Sequence, residues 1–109
     1  MANAYKVLGQ TGDAFTTSVD VYTVPASTEA IVSTIVVCNR SAATKTFSLS
    51  VRPSGAAEAN EHFIVKDANI AANDTVTLTL GITLATTDVV TATASSADVS
   101  FSVFGTEIS

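Results

Sequence analysis

The residues of this 109-residue sequence that could perform chemistry are few and scattered. His62 is the single histidine and Cys38 the single cysteine, so a Ser-His-Asp or Cys-His arrangement would have to use His62. Cys38 lies in an apolar stretch, where a thiol usually packs as a small hydrophobic group and does not react as a thiolate. We therefore expect no catalytic residue, and we expect the protein not to be an enzyme.

The best candidate for a metal site is the segment Glu58-Ala59-Asn60-Glu61-His62, which combines two carboxylates with an imidazole. Metalloprotease helices carry two histidines one turn apart with a glutamate as the base, and here Glu58 stands where the first histidine would be. Zinc sites take three or four protein ligands, and the chain has no second histidine. We expect a solvated loop at this segment, and neither a metal nor a cofactor.

Charge excludes several classes of partner. Five Lys or Arg residues stand against ten Asp or Glu, which gives a net charge of −5. A nucleic-acid backbone requires a basic patch, so we expect no nucleic-acid partner. We also expect no membrane partner and no secretion signal, because the chain has no apolar run of membrane-spanning length and no basic, then apolar N-terminus. A single cysteine is consistent with synthesis in a reducing cytoplasm.

Composition and alternation together predict strands. Thr and Ser contribute 17 and 12 residues, and only 14% of the residues are charged; Thr and Val favour pleated, half-buried surfaces. Runs of alternating apolar and polar residues predict strands at 4–8, 14–24, 29–39, 44–52, 62–66, 74–84, 89–94 and 99–105. About eight short strands without a linker predict an all-β, single-domain antiparallel β-sandwich of jelly-roll or immunoglobulin-like topology. Residues 1–8 form an N-terminal arm or first strand, and residues 9–109 form the sandwich domain.

The predicted strand 29–39 is apolar on both faces. Simple alternation places Ile31, Ile35 and Val37 on one face and Val32, Val36 and Cys38 on the other. Such a strand is typical of the centre of a covered sheet or of a contact between subunits. We expect it to form a hairpin with the next strand, 44–52.

Other segments give weaker local signals. The run 74–84 alternates apolar residues inward with threonines outward, and Gly81 in its middle predicts a bulge or a bend. Residues 9–12 (GQTG) predict a turn, and residues 53–61 predict a surface loop that faces outward.

Three stretches of the chain are similar to a known group of proteins. Residues 1–10 (MANAYKVLGQ), residues 20–40 (DVYTVPASTEAIVSTIVVCNR) and residues 72–108, with DTVTLTLGITLATTDVVTATASSADVSFSVFGTEI at their centre, resemble small virion structural proteins of tailed bacteriophages, of the cyanophage-like kind. The resemblance covers most of the chain and brings no catalytic motif. It implies a non-enzymatic virion protein, made in the host bacterial cytoplasm and then located in the virion.

The position in the particle stays open at this stage. The first possibility is a capsid decoration or cement protein that binds and reinforces the assembled shell. The alternative is a neck, collar, tail or fibre component, and a host-surface carbohydrate-binding module is a further possibility. The resemblance implies other virion proteins as partners, either the major capsid protein or neck and tail proteins. It also implies a homo-oligomer, for which a trimer is one arrangement.

We expect the assembly contacts on two elements. Tyr5, Val7 and Leu8 belong to the N-terminal arm, which could add a strand to a neighbour's sheet. The other expected contacts lie on the two-faced strand and are Ile31, Val32, Val36 and Cys38. Deletion of residues 1–8 is then expected to leave a folded domain that no longer binds the particle.

Overall fold

The computed structural model describes residues 3–12 and 17–109, and most of these residues lie in eight antiparallel strands. The strands are β1 (Asn3–Thr11), β2 (Val19–Thr23), β3 (Glu29–Asn39), β4 (Lys45–Arg52), β5 (Phe63–Ile70), β6 (Thr75–Leu84), β7 (Val89–Ala94) and β8 (Val99–Ile108). Two short 3-10 turns, Pro53–Gly55 and Asn60–His62, lie between β4 and β5. The predicted all-β sandwich is confirmed. Across the described residues, no helix has the length and apolar character needed to cross a bilayer.

The strands form two four-stranded sheets. Sheet A has the order β1-β8-β3-β6 and sheet B the order β2-β7-β4-β5. An immunoglobulin sandwich pairs its first strand with its second, whereas here, among the described strands, β4 and β5 alone are both consecutive and paired. The fold can be described as one long hairpin with the strand pairs β1–β8, β2–β7, β3–β6 and β4–β5. This hairpin is wrapped around the core so that β8 also pairs with β3 and β7 with β4. This order is that of a jelly roll.

The predicted hairpin of β3 with β4 is wrong, because the chain crosses from sheet A to sheet B between these strands. Asn39, the last residue of β3, is fully buried at the crossing. Its Nδ2 donates to the carbonyl oxygens of Ala43, Ile70 and Ala71 at 2.9, 3.1 and 3.0 Å. Its Oδ1 accepts the N–H of Ser41 at 2.9 Å. Asn39 thus fastens the crossing to the connection between β5 and β6.

The core lies between the two sheets. The rings of Phe47 on β4 and Phe101 on β8 meet edge to face across it, with their centroids 6.2 Å apart. Phe101, Ile35 and Leu49 are the largest of the fully buried side chains. The predicted inward phase of β6 agrees with this core.

Bulges decide which residues of sheet A face the core. In β3, Val32 pairs with Gly105 and Thr34 with Phe104, so Ser33 is an extra residue. The extra residue shifts the alternation, and it places Val32 on the inward side with Ile35 and Val37. The predicted grouping of Ile31 with Ile35 and Val37 is therefore wrong; Ile31, Val36 and Cys38 face outward. The predicted bulge at Gly81 is confirmed, because Leu80 and Gly81 together oppose Ser33.

The N-terminal segment is a sheet strand and not a free arm. Residues 3–11 pair with β8 along their length, so the turn predicted at 9–12 is strand as far as Thr11. Gly9 lies so close to β2 that an added Cβ would collide with the carbonyl oxygen of Val21. Lys6 also pairs with Glu107, and the side of the sandwich formed by β1 and β2 is closed.

Candidate binding surface

The outer face of sheet B is covered by the protein's own chain. Ser48, Ser50 and Thr91 point outward from this sheet, yet all three are buried. The segment 53–62 lies over this face, and Ser50 Oγ donates to Glu58 Oε2 at 2.6 Å. The loop predicted at 53–61 thus lies against the sheet while its far side remains exposed.

Arg52 fastens this segment to the sheet. Its Nη1 donates to the carbonyl oxygens of Gly55 and Ala56 at 3.2 and 2.8 Å. Its Nε donates to Thr91 Oγ1 at 3.0 Å, and its Nη2 pairs with Asp20 at 2.8 Å. Because a planar guanidinium binds several acceptors in fixed directions, Arg52 holds the segment in one position. The outer face of sheet B is therefore polar and covered over β4 and β7, while Ile64 of β5 remains 44% exposed.

The outer face of sheet A carries the exposed apolar side chains. Of the four large hydrophobic residues that are exposed in the described part of the chain, Tyr5, Val7 and Ile31 lie on this face, at 81%, 48% and 40% exposure. The strand register brings them together: Tyr5, Thr106 and Ile31 form one cross-strand row. Val7 and Phe104 are paired in the next row. We call Tyr5, Val7, Ile31 and Phe104 the sheet A patch.

The surroundings of the sheet A patch are small and uncharged. The remaining outward positions of β3, β6 and β8 are mainly Thr and Ser, with half-buried Val36 and Cys38. Glu29, paired with Ile108 at the end of the sheet, is the charged residue on this face among those described. Burial of a charge in an interface is costly unless the charge is paired, and this face presents almost none. The face can therefore be covered by a partner with little loss of ion hydration.

The patch continues into an open cavity of about 400 Å³ at the end of sheet A. Its walls include Ile31, Leu84 and Ile108, with the carboxylates of Glu29 and Asp88 at the same place. Asp88 already accepts the N–H groups of Ser54 and Ala85 at 2.8 and 2.9 Å. The cavity thus enlarges the apolar surface and could receive an apolar side chain of a partner.

The structure brings together five of the seven expected contact residues. Tyr5, Val7, Ile31, Val36 and Cys38 share the outer face of sheet A. The other two do not belong there. Val32 is 0% exposed in the core, and Leu8 is the bulged residue of β1 and packs partly against the core. Phe104 belongs to the patch although it was not among the expected contacts; its outward phase beside Ser100 and Ser102 was the available signal.

The residues considered for chemistry lie apart and are engaged locally. Cys38 is on sheet A, while His62 lies between β4 and β5 of sheet B. The Nδ1 of His62 accepts the N–H of Ala59 at 3.1 Å, and Glu58 binds Ser50. Within residues 3–12 and 17–109, no three His, Cys, Asp or Glu side chains form a group that could hold a metal ion.

The chain matches no protein-family model and no curated protein. Among solved structures, it is similar to a chain from the structure of the infectious bursal disease virus Gx strain, with a TM-score of 0.56 and 11% sequence identity. The match covers 97% of this chain and 32% of the viral chain, so this protein spans about a third of that chain's length. At this identity the likeness shows a shared fold.

Proposed function

We propose that this protein is a non-enzymatic structural component of a virus particle and that it docks on its neighbours through the sheet A patch. The observation that carries the proposal is the difference between the two outer faces. Sheet B is largely covered by a hydrogen-bonded segment and exposes Ile64 alone among the large hydrophobic residues described, whereas sheet A exposes Tyr5, Val7 and Ile31 together with almost no charge nearby. An exposed, contiguous apolar patch on a small domain usually marks an interaction site.

The fold is compatible with this role and does not decide it. Jelly rolls occur in viral capsid domains, lectins and cupins, so function has to be argued from the surface. The viral origin of the structural neighbour supports the virion, and the resemblance to tailed-phage virion proteins is the expectation from sequence on which the finer proposal rests.

The finer proposal is a capsid decoration or cement protein of a tailed bacteriophage, made in the host cytoplasm. Many weak contacts repeated over a shell can reinforce it, because avidity multiplies their effect. The alternative is a neck, collar, tail or fibre component. Copy number separates the two: quantitative mass spectrometry of purified virions would give a copy number close to that of the major shell protein for a decoration protein. A number at the level of a single ring would indicate the neck or tail.

Tyr5 favours a second candidate, a carbohydrate-binding module, because an aromatic ring at 81% exposure can stack on a sugar. Binding on a glycan array that Tyr5→Ala abolishes and Tyr5→Phe, which keeps the ring, retains in part would support the module. An array without binding would leave the virion role as the better proposal.

The docking role is tested with charge-introducing variants. Ile31→Lys and Tyr5→Lys place a charge in the sheet A patch, and Asn69→Lys places the same charge on an exposed position of β5 in sheet B. Each purified variant is mixed with virions that lack the protein, and the bound fraction is measured after sedimentation. We expect the patch variants to bind at least about tenfold more weakly, equivalent to about 1.4 kcal/mol, while Asn69→Lys binds like the wild type. Equal binding by all variants would exclude the patch as the docking surface.

A further inference from the structure

The two sides of the sandwich, where edge strands of the sheets meet, differ in closure. At the β1 and β2 side, Gly9 lies against the Val21 carbonyl, and Tyr22 reaches Glu107 across the sheets. At the side of β5 and β6 the core is open. Four of the five inward residues of β6 are only half-buried, with Leu84 at the end of the strand buried, whereas those of the central strand β3 are fully buried. This half-buried row consists of Val76, Leu78, Leu80 and Ile82.

Proteins usually protect an edge strand against pairing with another chain by making it short, charged or bulged. Among the four edge strands, β2 has five residues and carries Asp20, and β5 carries Lys66 and Asp67 at a bulge. β1 carries Lys6. β6 has ten residues (TVTLTLGITL) and carries neither a charge nor a proline. Its one protective device is the bulge at Leu80 and Gly81.

We propose that the free edge of β6 is a self-association site, at which the β6 of a second copy pairs antiparallel across a two-fold axis. Such a pair would make one continuous eight-stranded sheet from two copies of sheet A. The exposed groups of the β6 edge indicate which strand can pair with it. A row of half-exposed apolar side chains next to unpaired N–H and C=O groups requires a strand with an apolar inward row and no charge. Of the edge strands in the described part of the chain, β6 itself meets this requirement.

The two-fold arrangement is also consistent in charge and size. The outward threonines of β6, at 75, 77, 79 and 83, would lie beside the outward residues of the second copy's β6. No charged side chain of β6 therefore enters the contact. Asp74, next to the strand, accepts the N–H of Thr75 at 2.8 Å. Ten residues at about 3.4 Å each give the two paired edges a common length of about 34 Å.

This site differs from the docking surface proposed above. The β6 edge lies at the side of the sandwich, while the sheet A patch is centred on β1, β8 and β3. Self-association through β6 would leave Tyr5, Val7 and Ile31 exposed, so a dimer could still dock on a shell. The failure of one proposal would therefore leave the other standing.

The test compares two single lysine substitutions on exposed outward positions of the same sheet. Thr77→Lys lies in the middle of the β6 edge, and Gln10→Lys lies on β1, the opposite edge strand. Each protein is studied by analytical ultracentrifugation over a wide range of concentration, with circular dichroism to show that it is folded. We expect the wild type and Gln10→Lys to reach twice the mass of one chain, and Thr77→Lys to keep the mass of one chain. Amide hydrogen exchange gives a second measurement, in which β6 amides exchange more slowly in the dimer than in Thr77→Lys.

Each other outcome overturns the proposal. A wild-type protein that stays monomeric at every concentration would show that the edge does not associate. A folded Thr77→Lys variant that still dimerises, or a Gln10→Lys variant that does not, would place the contact on another surface.

Discussion

The hydroxyl of Tyr22 in β2 donates a 2.6 Å hydrogen bond to Oε2 of Glu107 in β8, and this bond joins the two sheets. The other carboxylate oxygen of Glu107 pairs with Lys6 Nζ of β1 at 2.6 Å. Hydrogen bonds from Lys6 and Tyr22, with the positive charge of Lys6, hold the pKa of Glu107 below its ordinary value despite burial. Burial, followed by the hydrogen bond and the charge of Glu107, raises the pKa of Tyr22 well above its ordinary range.

Acid should weaken this connection. The lowered pKa of Glu107 contributes stability that is fully present above the carboxyl's unfolded value of about 4.3 and is lost as pH falls through the lower folded value. We expect the free energy of unfolding, measured with urea at a series of pH values, to fall in this acid range. Glu107→Gln should be less stable than wild type at neutral pH and should lose less stability on acidification. Exposed Glu61→Gln serves as the control; a wild-type pH dependence in Glu107→Gln would contradict the assignment.

Asn39 should be one of the most sensitive positions in the chain. Asn39→Ala leaves three carbonyl oxygens without their donor, that of Ile70 at a buried site and those of Ala43 and Ala71 at part-buried sites. Each unsatisfied buried group costs on the order of 1–3 kcal/mol, so we expect a loss of about 3 kcal/mol in urea unfolding. Asn69→Ala, at an exposed position, should change the free energy by less than about 0.5 kcal/mol. Similar losses in both variants would show that the Asn39 contacts have little effect.

Two glycines should respond differently to the same added methyl group. In Gly9→Ala the Cβ meets the Val21 carbonyl, whereas at Gly81 the space around an added Cβ is open to at least 4 Å. Overpacking typically costs about 1–3 kcal/mol, so we expect Gly9→Ala to lower the melting temperature and Gly81→Ala to leave it nearly unchanged. Equal melting temperatures for Gly9→Ala and the wild type would mean that β1 and β2 can move apart freely.

Deletion of residues 1–8 should destabilise the domain, in contrast to the expectation from sequence. The deletion removes most of β1, leaves β8 at the edge of sheet A and takes away the Lys6 partner of Glu107. We expect a loss of more than about 3 kcal/mol, beyond the range of most point substitutions, measured by thermal unfolding. Tyr5→Lys keeps the strand and changes only the patch, so it should melt near the wild type. A deletion variant as stable as the wild type would restore the view of residues 1–8 as a separable arm.

Local patterns predicted the elements better than their partners. The alternation in β6 identified its inward row, and Val89–Ala94 was predicted with its correct ends. The face of Ile31 could not be predicted, because the bulge at Ser33 depends on distant residues: Ser33 Oγ donates to the Phe104 carbonyl, and Gly105 allows the backbone of Ile31 to approach. That dependence links positions more than seventy residues apart.

Contacts between distant residues also explain why the ends of other strands were not predicted correctly. β5 continues to Ile70 through Asp67, which has a φ of +51° and whose N–H is bound by Ser48 Oγ of β4 at 2.9 Å. The sequence predicted that this strand ends at residue 66, and it could not show the continuation because the support for Asp67 comes from another strand. β2 begins at Val19 and ends at Thr23, and residues 14–16 of the predicted strand 14–24 lie outside the described residues. Of the expected contact residues on β1 and β3, all but Leu8 and Val32 lie on the outer face of sheet A, and their role in binding stays a prediction.

The position of β8 has a consequence for the order of events during synthesis. β8 lies between β1 and β3, yet the ribosome synthesises Val99–Ile108 after it has synthesised β1 to β7. Sheet A therefore cannot close on a growing chain, and the inward faces of β3 and β6 remain without their full cover until the last strand has emerged. Such long-range pairing slows folding and exposes apolar strands meanwhile. A ribosome-bound chain that lacks β8 should accordingly be a substrate for chaperones.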